Sequence, residues 1–459
     1  MTRTRFGEVT PADLALFTDL YELTMMQGHL ATDHDPTVTF DLFFRDMPSD
    51  RGYVVVAGLE QVVHYLETLT FDDAALAYLD EVGFSEAFLA ALDAFEFTGD
   101  VRAVPEGTVV FPDEPLLEVT APVSEAQLFE TLLINQVGFQ SLVATKAARM
   151  RDAVEREGAD QSLVDFGSRR AHGVDAGMKA ARAAYVGGFE GTSNVAAGRA
   201  FDLPVFGTMA HSWVQSFETE REAFEAFVDV YGDRSILLVD TYDTLGGAET
   251  AMAVVRDRDV DVEGVRLDSG DLVALSKEVS EVVGDVGIFV TSGVDEYVIE
   301  DFLTRGGVAT GFGPGTSLVT SDDAPKLETV YKLVAVERDG DLEPSMKLST
   351  GKATYPGQKS VRRVEADDGE FEYDVLDLRG ADGAGDELLV DVYEDGSLVY
   401  SPPDLDDVRA RTLDQVQRLP RESRVLRTPS TYPVRVGDAL QATTDSVRDD
   451  LAARYRREG

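Results

Sequence analysis

From about residue 160 the chain alternates short apolar runs with helical patterns six times over, and every apolar run ends in a polar or glycine-containing turn. No other feature restricts the fold so strongly. Short buried strands that alternate with helices form a parallel sheet, because a parallel neighbour is reached only through a crossover. The expected strands are 162–166, 203–206, 235–239, 262–267, 287–290 and 308–312, with helices at 171–185, 212–230, 246–255, 272–283 and 294–303. After them come Asp165 and Arg169, Thr208 and His211, Asp240 and Asp243, Asp268, Ser292-Gly293, and Gly313-Pro314-Gly315-Thr316. Polar groups at every strand end fit a barrel, whose C-terminal face gathers all the strand-to-helix loops. An open doubly wound sheet would concentrate them at one switch point. The expectation is therefore an α/β fold, a parallel barrel.

Flanking this repeat, residues 1–125 read as an α+β piece: a helical pattern over 13–28, a strand at 37–44, a strand running into a helix over 53–69, and a strand pair within 101–119. Beyond Glu337 the pattern is strand-like again, with turns at Asp339-Gly340, Gly351 and Pro356-Gly357. An acidic, hairpin-like stretch over 365–399 is marked by Asp395-Gly396, and a polar helix closes the chain over 444–457. The expected units are 1–125, a catalytic barrel over 126–336, and a β-rich and helical region over 337–459. A length of 459 residues accommodates about two to three domains.

Charge decides the partners. With 85 acidic against 41 basic residues, the formal net charge is −44, which repels nucleic acid and anionic membranes. Excess acid with little lysine resembles proteins of salt-accumulating cells, where ionic strength screens self-repulsion. The plainer reading is a solubility device. There is no cysteine, so disulfides, thiolate nucleophiles and cysteine-held zinc are excluded, and a reducing compartment fits. The opening residues, MTRTRFGEVTPADLALF, hold no long apolar run, and no stretch is long enough to span a bilayer. A cytoplasmic location is expected.

The strand ends carry the chemistry. TSGVDEY (291–297) and GFGPGTS (311–317) are glycine-rich loops late in the repeat, where barrels cradle phosphate on backbone N–H groups. Neither is a Walker A loop, since no Gly-Lys-Ser/Thr follows. Each taken alone is equally a tight turn. VRLDSGDL (265–272) ends a strand with Arg266, Asp268 and Asp271, and LLVDTYDT (237–244) ends another with Asp240 and Asp243. Such carboxylates hold Mg²⁺ or ribose hydroxyls, while arginine forks match phosphate. Helix N-capping explains one acid per loop but not two. Arg169 and Arg170, just before a helix, are poorly placed for its dipole, so an anionic ligand explains them better. His211 is either a structural histidine or a catalytic one. Thr208 beside it is a candidate substrate contact. Spacing alone leads to a barrel that binds a phosphorylated sugar and a metal, and does not name the acceptor.

The segments FDLFFRDMP (40–48), DFGSRRAHG (165–173), GGFEGTSNVAAG (187–198), GTMAHSWVQSF (207–217), VDTYDT (239–244), VRLDSGDL (265–272), GFGPGTSL (311–318), YKLV (331–334) and MKLSTGKATYPGQK (346–359) occur in this order. Together they resemble the nicotinate phosphoribosyltransferase family over about residues 14–360, with the last hundred residues matching less well. The resemblance implies the type II phosphoribosyltransferase architecture, an α+β sandwich with an irregular parallel α/β barrel, onto whose sandwich the C-terminal region packs back. It implies a homodimer whose active site is shared, with the partner's Tyr21 stacking on one face of the pyridine ring and Phe166 on the other. Arg169 would face the nicotinate carboxylate, with Ser193 nearby. Asp240, Arg266 and Asp268 correspond to the ribose, pyrophosphate and Mg²⁺ region. Ser292, Gly293, Gly313, Gly315 and Thr316 correspond to the 5′-phosphate cradle, and His211 to the histidine that ATP phosphorylates. The implied reaction joins nicotinate to phosphoribosyl pyrophosphate in NAD salvage, with ATP as co-substrate and Mg²⁺ but no zinc.

Two alternatives stay open. The related nicotinamide enzyme has an acidic residue where this chain has Ser193, and a carboxylate there would repel nicotinate. A non-catalytic phosphosugar-binding barrel would need no phosphorylatable histidine.

Overall fold

The computed structural model describes residues 10–348 and 354–455. The expected turn at Gly351, residues 349–353 of the 346–359 motif and the last two positions of the expected 444–457 helix lie outside them. Six strands run parallel, in the order Gly191–Thr192, Ser162–Asp165, Gly311–Gly313, Gly287–Thr291, Gly264–Leu267, Ile236–Leu238. Followed along the sequence, this order is cyclic, because the last strand of the set pairs with the first at Gly311 and Ser162. Val205 adds a single parallel bridge to Thr192.

Between Val205 and the strand at 236–238 the described residues form no ladder. Side chains span that gap: Arg266 donates from Nη1 to Thr208 Oγ1, and His211 Nδ1 lies 3.1 Å from Thr241 Oγ1. The strand expected at 203–206 is therefore reduced to one bridge, since Pro204 offers no N–H to a ladder. A two-residue strand at Gly191–Thr192, unforeseen in the sequence, takes its place. Inside the sheet Leu237, Leu238, Val239, Val265, Leu267 and Val290 are fully buried, each stabilising the fold by about 1.5–3 kcal/mol.

The helices differ from expectation where local chemistry intervenes. The helix expected over 212–230 is two, His211–Gln215 and Glu220–Tyr231. Thr219 and Glu222 form a capping box that starts the second afresh. The 13–28 pattern likewise divides into a 3₁₀ turn, Pro11–Leu16, and a helix, Leu20–Ala31. A 27-residue helix, Glu130–Arg156, has no counterpart in the sequence reading. It threads the interior: Thr145 Oγ1 accepts from Val55 N at 2.9 Å and Ser141 Oγ from Ala57 N at 3.0 Å.

A seven-stranded sheet joins the two ends of the chain. Its order is Asp341–Pro344, Thr329–Arg338, Thr37–Phe44, Leu117–Pro122, Asp100–Ala103, Val390–Glu394, Ser397–Leu398. Asp339-Gly340 and Asp395-Gly396 turn two of its hairpins, all four residues in the left-handed region that such turns require. The antiparallel hairpin of Lys359–Glu365 and Phe371–Leu378 docks on this sheet through buried charges. Lys359 Nζ sits 2.6 Å from Asp41 Oδ2, and the Arg379 guanidinium meets Glu118. No helix among the described residues is long and apolar enough to cross a membrane.

Candidate functional site

The C-terminal ends of the parallel strands open into a cavity of about 630 Å³. Thirteen of the residues singled out from sequence line it: Phe166, Arg169, Arg170, Ser193, Thr208, His211, Arg266, Asp268, Ser292, Gly293, Gly313, Gly315 and Thr316. Gathering residues from all along the repeat at one mouth is the geometric consequence of parallel strands.

The first wall is built around Asp165, which is fully buried. It accepts from Gly167 N and Thr192 Oγ1, both at 2.7 Å, and its carbonyl accepts from Ser193 N at 2.8 Å. One carboxylate thus fixes the turn that carries Phe166 and the turn that carries Ser193. Burial pushes its pKa up in spite of those bonds. Gly313 is required opposite, since a Cβ there would meet the Phe166 ring at 2.4 Å.

The acids divide by function. Asp243 caps the helix Thr244–Arg258 and Asp271 caps Leu272–Val283. Asp240 and Asp268 cap nothing, so N-capping accounts for one acid per loop and leaves the other free. Asp240 does not line the cavity. It stands behind, its Oδ2 accepting from Asp268 N and Ser269 Oγ at 2.8 Å each, while its buried Oδ1 has no hydrogen-bond partner. Asp268 points forward, with Oδ2 3.7 Å from His211 Nε2 and Oδ1 held by the Thr291 hydroxyl.

Arg169, Arg170 and Arg266 all face the cavity, and none makes an ion pair among the described residues. Burial, with Arg169 nearby, outweighs the pull of Asp268 and Asp240 and holds the Arg266 guanidinium below its usual range. In a chain of net charge −44, three arginines without carboxylate partners around one cavity give it a chemistry that suits anions.

Next to the Asp165 wall lie the glycine-rich loops, the nearer one tied in by Phe166 N donating to Pro314 O at 2.9 Å. Ser292 and Gly293 are consecutively left-handed, with φ of +73° and +64°, and Ser317 Oγ ties the loops together by donating to Val294 O at 2.7 Å. Asp322, unremarked in the sequence, also lines this side. Tyr21 is elsewhere. It stands on the helix Leu20–Ala31, 46% exposed, beside Glu130, where burial and that carboxylate push its hydroxyl pKa up.

This fold and site define an α/β protein that binds a phosphorylated, multiply anionic ligand at the ends of its parallel strands. Sequence models narrow the class. The nicotinate phosphoribosyltransferase N-terminal domain matches residues 16–138, the nicotinate phosphoribosyltransferase family 161–368, and the family's C-terminal domain 381–444. Nicotinate phosphoribosyltransferase pncB2 of Mycobacterium tuberculosis is 45% identical over 436 residues, covering 93% of this chain and 92% of the relative. Nicotinate phosphoribosyltransferase of Bacillus subtilis is 37% identical, covering 92% of each. The crystal structure of human nicotinic acid phosphoribosyltransferase superposes with a TM-score of 0.83 at 30% identity, over 94% of this chain and 99% of that one. The chain belongs to the nicotinate phosphoribosyltransferase family.

Proposed function

We propose that this chain joins nicotinate to 5-phosphoribosyl 1-pyrophosphate, giving nicotinate mononucleotide and pyrophosphate, with ATP hydrolysed to ADP and phosphate. The observation that carries this is a cavity, large enough for both substrates, lined together by three arginines without carboxylate partners among the described residues and by two glycine-rich loops. In this reading the 5′-phosphate rests on Ser292, Gly293, Gly315 and Thr316. Arg266 binds pyrophosphate, and the pyridine ring lies on Phe166. Arg169 pairs with the nicotinate carboxylate, and Ser193 leaves room for that charge. An amide would leave Arg169 without a counter-charge, which favours nicotinate over nicotinamide.

As the glycosidic bond to pyrophosphate lengthens, C1′ gains positive charge and the leaving group negative charge. Asp268 faces the first and Arg266 the second, both held before the reaction begins, so little reorganisation is required. The pyridine nitrogen then attacks C1′. No group of three His, Asp or Glu side chains among the described residues could hold a metal. The free Oδ1 of Asp240 and the forward oxygen of Asp268 nevertheless suit Mg²⁺, which binds through one or two carboxylates plus substrate phosphates. Bound there, it would neutralise charge on the departing pyrophosphate.

His211 is the proposed phosphoryl acceptor. Its Nδ1 lies 3.1 Å from Thr241 Oγ1, and in the tautomer whose Nδ1–H donates there, Nε2 would carry the lone pair on the side of Asp268. The γ-phosphoryl would pass to Nε2 as the bond to ADP breaks, and water would later release phosphate. In a dimer, Tyr21 of a second copy would close the ring site. Leu20, Tyr21 and Met25 are exposed on the same short helix, an apolar row suited to such a contact. The acidic surface is read as an adaptation to high salt in a cytoplasm.

The test is product formation from phosphoribosyl pyrophosphate and Mg²⁺ in high KCl, with nicotinate or nicotinamide, each with and without ATP. Nicotinate mononucleotide formed faster with ATP, with ADP released, is the expected result, and His211→Asn should abolish the ATP stimulation. A preference for nicotinamide would overturn the roles given to Arg169 and Ser193. Absence of turnover with every acceptor would leave a binding barrel.

A further inference from the structure

Behind the two glycine-rich loops lies a cluster of charges that the proposed reaction does not use. Glu296 is fully buried and receives Lys146 Nζ at 2.6 Å, Arg149 Nε at 3.0 Å and Arg51 Nη1 at 3.1 Å. Asp323 receives Lys146 at 2.7 Å and both terminal nitrogens of Arg51 at 3.0 Å. Glu296 directly follows the 291–295 loop, and Asp323 comes three residues after the helix Thr316–Thr320. Both loops therefore stand on the same two cations, Lys146 from the long helix Glu130–Arg156 and Arg51, with Arg149 of that helix added at Glu296.

Two further observations give this cluster a role beyond stability. Ser292 is a non-glycine residue in the left-handed region, a conformation that persists only where surrounding contacts over-determine it. Asp322 is a half-exposed carboxylate on the cavity wall, and Lys146 Nζ lies 3.8 Å from its Oδ1. A carboxylate in a site for anions opposes binding unless a cation offsets it.

We propose that Lys146 is a positioning residue of the phosphate cradle: through Glu296 and Asp323 it fixes both glycine loops, and beside Asp322 it cancels a charge that would repel the phosphate. Lys146 does not line the cavity and touches no reacting atom. The inference rests on the reading of these loops as the 5′-phosphate site.

The experiment compares Lys146→Met, Asp322→Asn and the double variant, measuring KM for phosphoribosyl pyrophosphate and for nicotinate separately. Ribose 5-phosphate binding is followed by calorimetry alongside. Lys146→Met should raise KM for phosphoribosyl pyrophosphate by about tenfold or more, with KM for nicotinate unchanged. Asp322→Asn should lower the same KM by about threefold, and the double variant should recover most of what Lys146→Met loses. A purely structural lysine would move both KM values together and would gain nothing from Asp322→Asn, and either result overturns the proposal. Should Lys146→Met fail to fold, Asp322→Asn decides alone: an unchanged or raised KM for phosphoribosyl pyrophosphate sinks the idea. Calorimetry separates the two readings. A wild-type chain inactive on nicotinate whose ribose 5-phosphate affinity still follows this pattern would refute the nicotinate assignment and leave Lys146 in its role.

Discussion

Two buried charge clusters in this molecule obey the same electrostatics with opposite results. Under the phosphate loops, three cations with almost no exposure converge on Glu296. Burial alone would raise that carboxyl, but Lys146, Arg149 and Arg51 more than offset it and hold it below the usual range. Asp323 beside it, despite partial burial, is drawn down to about 2 by Arg51 and Lys146. At the seam between the seven-stranded sheet and the 359–378 hairpin, two buried acids, Asp41 and Glu118, face one buried lysine and an arginine that is 38% exposed on its side chain. There burial wins. Asp41 is raised in spite of Lys359, and burial together with the charge of Asp41 carries Glu118 up to about 7. The number of fully desolvated cations per acid, rather than burial itself, decides whether such a cluster locks as charges or stays ready to take a proton.

The largest test of this contrast is Glu296→Gln, which removes the carboxylate shared by three buried cations and leaves Asp323 to offset Lys146 and Arg51 alone. It should cost about 3–5 kcal/mol of unfolding free energy, read from urea denaturation at neutral pH, and a loss below 1 kcal/mol would refute the account of that cluster. Glu118→Gln should behave oppositely. A carboxyl raised in the folded state has its full stability below its unfolded pKa, about 4.3, and loses it as pH rises through the folded value. The wild type should therefore weaken between about pH 4.5 and 7, and Glu118→Gln should remove about 1–2 kcal/mol of that slope. For Glu296 the sign reverses: its depressed carboxyl contributes fully above the unfolded pKa, and that stability drains away only in acid. Stability curves of the two variants against pH should thus diverge from the wild type at opposite ends. The smallest effect concerns salt. Melting temperature should climb with KCl as the exposed acids are screened, yet both variants should keep the wild-type slope, because buried pairs are screened far less. A changed slope in either variant would place that cluster in solvent contact.

Legibility in the sequence followed the same division. The strands and their polar ends were readable because a parallel sheet buries apolar runs and puts polar residues at one mouth, so Asp268, Arg266 and the two glycine loops announced themselves. The helix Glu130–Arg156 did not, because it is buried on nearly every side and carries Lys146, Arg149 and Arg151 inward, leaving no apolar stripe to detect. Glu296 and Asp323 sat among ordinary-looking loop acids in a chain full of them. The one available signal was charge of the wrong kind in the wrong place: a lysine and an arginine within the small, apolar run of ATKAARM. The distinction between Asp240 and Asp243, or Asp268 and Asp271, also required coordinates, since both members of each pair precede a helix and only geometry shows which one caps it.

The unladdered stretch between Val205 and His211 has a consequence for how the site can work. A residue woven into a sheet can shift only by unzipping hydrogen bonds on either side, whereas Thr208 and His211 reach the neighbouring strand ends through side chains, Thr208 to Arg266 and His211 to Thr241 and Asp268. Amide protons over 207–210 should exchange with solvent well before those of the strand at 236–238, marking a segment that opens without disturbing the parallel sheet beside it. His211, at the head of the helix His211–Gln215, lies at the end of that stretch, so its position depends on side-chain contacts more than on a ladder.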